Sequence, residues 1–177
     1  NGLQFQSVPA ALPRPLPPMN YEQARFNMVE QQIRPWEVLD QTVLDLLYVV
    51  PREEFVPPAY RTLAFSDMEI PIGESEKMWA PKIEARALQE LAVKKSDRVL
   101  EIGTGSGYLT ALLAHRAAHV HSVELKPALA EFGHANLARH GALDHRQRVR
   151  RPPPPPGWHL PAVVARHAEL DLFDFIE

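Results

Sequence analysis

Val99 to Tyr108 reads V-L-E-I-G-T-G-S-G-Y, and no other stretch constrains the fold of this chain so tightly. An apolar run over Arg98 to Ile102 stops at three glycines set two apart, Gly103, Gly105 and Gly107, and a helical pattern begins at once. Strand, tight loop and helix in that order open a βα unit. Glycine has no Cβ to hold a ligand off the backbone and tolerates positive φ. Such a loop therefore lets a nucleotide-like cofactor lie against main chain near a helix N-terminus.

The flanking sequence supports that unit. Pro81 suits the first position of a helix running to about Val93, with Ile83, Ala87, Leu88 and Leu91 predicted to face the core. Lys94 to Asp97 is the turn into the strand. After the glycines, Leu109, Leu112 and Leu113 mark the buried face of a helix ending near Ala117. His119 to Val123 reads as a second strand closed by Glu124. Pro127 opens another helix with Leu129, Phe132 and Leu137 inward, and Gly141 suits its stop. This βαβα succession implies a parallel sheet. Upstream, the spacing predicts a helix over Asn20 to Ile33 closed by Pro35, and a second over Gln41 to Val50 capped by Asp40. A short turn at Pro51 to Glu54 and an ordered loop with a short strand over Phe55 to Pro71 follow.

Both ends differ from this middle. Of 18 prolines, five lie in the first 18 residues and six between Pro152 and Pro161. Residues 1–18 read as a disordered Pro-rich arm, 19–144 as the folded unit, and 145–177 as an irregular Arg/Pro-rich tail. A third strand is due after Gly141, yet the chain reads H-R-Q-R-V-R-R and then five prolines, which suits no central strand. Ala162 to Ala168 reads as a short helix. The expectation is that the sheet is truncated after the second strand-helix unit and that both ends are extraneous to the fold. An ordered third strand between His145 and Pro161 would contradict it.

Composition narrows the function classes. A length of 177 residues fits one domain, and a net charge of −3 offers no general attraction to nucleic acid or anionic membranes. The absence of cysteine excludes disulfides, thiolate metal sites and cysteine nucleophiles, and the eight histidines show no metal-like pairing. With no apolar run of membrane-spanning length and no secretory pattern at the start, a cytoplasmic location is expected. A monomer is the default.

Two cofactor classes compete for the loop. A dinucleotide fingerprint requires G-x-G-x-x-G, but Tyr108 occupies the third glycine position. A carboxylate at Glu101, two residues before Gly103, would repel a pyrophosphate and attract a cation. S-adenosyl-L-methionine carries an ammonium and a sulfonium and no phosphate. Glu124, 21 residues after Gly103, is placed to accept hydrogen bonds from both ribose hydroxyls. Glu101, Gly103, Thr104, Gly105, Gly107 and Glu124 are thus the candidate cofactor-binding residues.

Several separate motifs now coincide. E-Q-Q-I-R-P at Glu30 to Pro35, V-P-R-E-E-F-V-P-P-A-Y at Val50 to Tyr60, I-P-I-G at Ile70 to Gly73, A-P at Ala80 and Pro81, and the glycine loop resemble the protein-L-isoaspartate O-methyltransferase family over roughly 20–141. The resemblance implies an α/β, Rossmann-like class I methyltransferase fold of seven strands with extra N-terminal helices, so that 19–144 reads as a partial methyltransferase domain. It also implies methyl transfer from S-adenosyl-L-methionine to an L-isoaspartyl carboxylate of a protein or peptide, or to another carboxylate acceptor. An ionised carboxylate and a sulfonium donor need chiefly in-line placement, so the lack of a catalytic dyad is no objection.

The chain departs from the family after I-P-I-G. A T-I-S-like segment is the family norm, whereas this chain has E-S-E-K-M-W-A-P, with Lys77 and Trp79 at the hydroxyl positions. Ser75 is out of register, and no catalytic residue is assignable. Lys77 and Trp79 are the substrate-cleft candidates, Lys77 to pair with a carboxylate and Trp79 to stack on a ring. Weak or absent activity is one expectation; a non-catalytic interaction protein derived from the same fold is the alternative.

Overall fold

The computed structural model describes residues 19–141, 147–150 and 162–165, the last two segments by their backbone alone. The N-terminal arm and most of the tail expected from the sequence lie outside them. Asn20 caps α1 (Tyr21–Met28) by accepting from Gln23 N–H, and the chain continues through a π-helical turn, Val29–Ile33, and a 3₁₀ turn, Arg34–Trp36. Pro35 thus sits inside the last turn, and the left-handed Glu37 ends it. Asp40 caps α2 (Gln41–Val49), its carboxylate accepting from the N–H and hydroxyl of Thr42. Two 3₁₀ turns, Arg52–Glu54 and Pro58–Leu63, then lead to a hairpin of β1 (Ile70–Gly73) and β2 (Glu76–Met78).

The α/β unit follows as the glycine loop requires: α3 (Pro81–Glu90), β3 (Arg98–Ile102), α4 (Tyr108–Arg116), β4 (His119–Val123) and α5 (Pro127–Arg139). β3 and β4 pair in parallel with Arg98 opposite His119 and Ile102 opposite Val123. The last helix stops at Gly141, at positive φ. Of the residues predicted to bury on α3, Ala87 and Leu88 do so, while Ile83 and Leu91 are half-exposed and Glu84 is fully buried in their stead.

Two short strands correct the expectation for the end of the chain. β5 (Gln147–Arg150) runs parallel to β4, and β6 (Ala162–Ala165), where a short helix was expected, runs parallel to β3. Both are edge strands of the described sheet, order β5-β4-β3-β6. An edge position is where a sequence such as Q-R-V-R is tolerated in a sheet. The two valines of A-V-V-A favour a strand over a helix. The described sheet therefore extends past residue 144. Among the described residues the sheet has four strands, against the seven that the family resemblance implies. Its order also creates a switch point: the chain passes outward from β3 through β4 to β5, then returns to the far side of β3. In open α/β sheets, ligands enter at the carboxyl end of the strands at such a point.

A buried ion pair ties the N-terminal segment to this unit. Arg52 and Glu84, both fully buried, pair directly, and Arg52 also donates from Nε to the Ala64 carbonyl at 2.8 Å and from Nη2 to the Trp79 carbonyl. Its guanidinium lies 5.1 Å from the centre of the Tyr108 ring. Glu84→Leu leaves the guanidinium charge buried without its carboxylate, an expected loss of about 3–5 kcal/mol in urea unfolding. Adding Arg52→Met to that variant recovers the part of the loss due to the unpaired charge, but not the part due to the Ala64 and Trp79 carbonyls, which then lack their donor.

Candidate functional site

The three glycines of the loop all take positive φ, 94° at Gly103, 54° at Gly105 and 82° at Gly107. The loop leaves β3 by Gly103 N–H and Thr104 N–H, which both donate to the Val123 carbonyl, at 2.7 and 3.2 Å. Gly107 N–H returns to the Thr104 carbonyl at 2.9 Å, and α4 begins at the next residue.

Beneath this backbone lies a buried polar network. Glu101 and Ser122 face one another across the β3–β4 register. Ser122 Oγ donates to Glu101 Oε2 at 2.7 Å, and Thr110 Oγ1 on α4 donates to the same oxygen. The Ser122 proton being committed, the 2.6 Å contact between Thr104 Oγ1 and Ser122 Oγ must have Thr104 as donor. Glu101, Thr104, Thr110 and Ser122 are all buried. Glu101, expected to face a cofactor, is fully buried, and its carboxylate links the loop, both central strands and α4. Glu101 is the last of three successive buried residues in β3, whereas Ile102 beside it is exposed.

Glu124 is the carboxylate that reaches the loop surface. It is half-buried at the end of β4, where Oε2 accepts from Gly105 N–H at 2.9 Å and Oε1 from Lys126 N–H at 3.0 Å. Each oxygen keeps a second lone pair, so both can accept from a ligand hydroxyl without releasing the backbone. Leu125, 68% exposed, and Ile102, 42% exposed, put apolar surface beside it at the carboxyl ends of the two strands.

The remaining candidates lie apart from this cluster. Lys77, on the exposed face of the hairpin, makes a 3.3 Å pair with Glu69. Trp79 is half-buried against the core and its carbonyl accepts from Arg52. Among the described residues no group of three His, Asp or Glu side chains is disposed to hold a metal. No helix among them is long and apolar enough to cross a membrane.

Four functional positions escaped sequence reasoning. Thr110 and Ser122 complete the network; the signal for Ser122 is a hydroxyl in a central parallel strand, where a near-continuous apolar run is the rule. Asn136 and Gly133 on α5 press the loop from outside. Buried Asn136 donates from Nδ2 to the Ser106 carbonyl at 2.9 Å and to the Phe55 carbonyl at 3.5 Å. At Gly133 a Cβ would lie 2.8 Å from the Gly105 carbonyl oxygen. Glycine in the middle of an otherwise good helix is the signal.

Comparison with known proteins bears on the same residues. The family profile of protein-L-isoaspartate(D-aspartate) O-methyltransferase matches residues 23–150, so it extends through β5. A curated relative from Anaeromyxobacter, protein-L-isoaspartate O-methyltransferase 2, is 41% identical over 124 residues, covering 66% of this chain and 51% of its own. The protein-L-isoaspartate O-methyltransferase of Methanoculleus marisnigri is 46% identical over 117 residues, covering 66% and 53%. The chain spans about half the length of the curated relatives it matches. Two solved structures share the fold. One, a protein-L-isoaspartate O-methyltransferase, has TM-score 0.63 at 21% identity and covers 82% of this chain and 47% of its own. The other, from Plasmodium falciparum and in complex with S-adenosyl-L-homocysteine, has TM-score 0.57 at 20% identity, with coverage of 75% and 62%.

Alanine in place of glycine within a helix ordinarily stabilises by about 1 kcal/mol. Gly133→Ala should do the reverse, losing about 1–3 kcal/mol in thermal unfolding because its Cβ meets loop backbone that has no room to move. A stabilised variant would contradict the close approach of α5 to the loop.

Proposed function

This chain belongs to the protein-L-isoaspartate O-methyltransferase family, and from that premise we propose that it binds S-adenosyl-L-methionine and directs its methyl group to a protein carboxylate of the isoaspartyl type. The observation that carries the proposal is Glu124, anchored to Gly105 N–H at the end of β4 yet retaining acceptor capacity on both oxygens. A ribose diol supplies two donors for it, and no phosphate has to approach its charge. Gly103 and Gly105, both at positive φ, carry no Cβ to hold a ligand off the loop, and Leu125 and Ile102 give apolar contact for a purine. The residues present therefore fit an adenosyl group.

When bound, the cofactor supplies an activated methyl group on a sulfonium. The chain's own residues then act by positioning, since the loop fixes one reactant and the hairpin side of the crevice receives the other. Alignment of the reacting atoms supplies much of the acceleration in such a displacement, with no proton to be removed from an ionised carboxylate. Lys77 is the proposed contact for the acceptor's negative charge. Its exposed pair with Glu69 contributes little to stability and is readily exchanged for a substrate. Trp79 anchors its end of the hairpin through the carbonyl held by Arg52, and we assign it the wall of the acceptor cleft in place of the family's hydroxyls.

Calorimetric titration with S-adenosyl-L-homocysteine tests the cofactor site. The chain should bind it, and Glu124→Ala should bind about tenfold more weakly or worse, the scale of lost hydrogen bonds to a charged acceptor. Radiolabelled methyl transfer to a peptide containing L-isoaspartate, but not to its normal aspartyl isomer, tests the acceptor. Absence of binding, or binding indifferent to Glu124→Ala, would contradict the proposal.

A further inference from the structure

Lys126 joins two parts of the molecule that sequence keeps about fifty residues apart. Its main-chain N–H donates to Glu124 Oε1 at 3.0 Å, while its ammonium donates to the Glu74 carbonyl at 2.6 Å and to Glu76 Oε1 at 2.5 Å. One residue thus touches both the proposed ribose acceptor and the turn of the β1–β2 hairpin. That hairpin ends in Lys77, Met78 and then Trp79, the segment that replaces the family's hydroxyls.

The turn needs an external hold. Glu74 and Ser75 lie at φ 52° and 62°, directly after Gly73 at 103°. Positive φ at both central residues is the pattern of a type I′ turn, which Asn-Gly or Gly-Gly adopts readily and Glu-Ser does not. The turn also brings Glu76 toward the Glu124 end of the sheet, where the ammonium of Lys126 pairs with its carboxylate and holds the Glu74 main-chain carbonyl. Without it the hairpin would keep its strained turn and lose the contact that fastens it to β4 and α5.

We infer that Lys126 is a positioning residue that clamps the β1–β2 hairpin to the cofactor acid, so that a ligand on Glu124 tightens the hairpin forming the acceptor side of the crevice. Part of this inference rests on the proposed cofactor site; the clamp itself does not. Glu124 accepting ligand hydroxyls fixes its carboxylate, and that in turn fixes the Lys126 N–H from which the side chain reaches the hairpin. A substitution at position 126 keeps the main-chain N–H and removes only the hairpin contact.

Hydrogen–deuterium exchange on the full chain, with and without S-adenosyl-L-homocysteine, separates the two parts. Without ligand, hairpin amides over 73–78 in Lys126→Met should exchange about fivefold faster than in the unmodified chain, a fraction of the effect of one charge-assisted hydrogen bond because the contact is partly solvated. Lys126→Arg should restore the slower rate, and amides of β3 should be unchanged in all three proteins, showing an intact fold. With ligand, the unmodified chain should gain hairpin protection that Lys126→Met lacks, although it still binds. Hairpin exchange in Lys126→Met equal to that of the unmodified chain without ligand would overturn the clamp. Equal ligand-induced protection in both would overturn the coupling. Failure of the unmodified chain to bind the ligand would overturn the coupling and the proposed cofactor site, while the comparison without ligand would still decide the clamp.

Discussion

A single carboxylate inside the sheet holds the candidate site in shape. Glu101 accepts from Ser122 on the neighbouring strand and from Thr110 on the following helix, and Ser122 in turn accepts from Thr104 in the glycine loop. A buried acid is costly unless its oxygens are satisfied, and the same low polarity that makes it costly strengthens the hydrogen bonds that satisfy it. The loop is consequently tied to both central strands and to α4 by side chains that never reach its surface. Three glycines give the backbone its freedom; Glu101 and its hydroxyl donors take that freedom away again in one conformation.

Outside the loop, α5 and the N-terminal segment complete the enclosure. Gly133 lets α5 lie against the Gly105 carbonyl, and Asn136 bridges the loop to Phe55. Phe55 packs edge-on against Tyr108 at 5.4 Å and stacks on His140 at 4.8 Å, so the turn that precedes the hairpin is packed where the start of α4 meets the end of α5. The Arg52–Glu84 pair continues this link to α3. The Arg52–Glu54 turn and Phe55 therefore brace the site, through contacts that run to the first turn of α4.

Much of this was legible in the sequence where the local rule and the fold agree. Glycine spacing, an apolar run before it and a helical stripe after it located β3, the loop and α4 without error of type, and Asp40 and Pro81 marked the helix starts they occupy. What escaped belongs to tertiary packing. The burial of Glu101 depends on which face of β3 meets α4, and an acid before a glycine loop reads equally well as exposed. Glu84 reads as a surface residue of an amphipathic helix until Arg52 arrives from thirty-two residues away. β5 was hidden because Q-R-V-R contradicts a central strand and is acceptable only at an edge, a distinction that strand order supplies and composition does not.

Glu101 fixes the loop through its hydroxyl partners. Ser122→Ala tests it directly, because Ser122 lies in β4 beneath the loop and its loss leaves both Glu101 and Thr104 short of a partner. Amide exchange measured across the chain should quicken selectively at Gly105 and Gly107, with a global loss of about 1–3 kcal/mol and weaker S-adenosyl-L-homocysteine binding. Loop amides and ligand affinity that match the unmodified chain, in a variant that has lost the Ser122 hydroxyl, would contradict it.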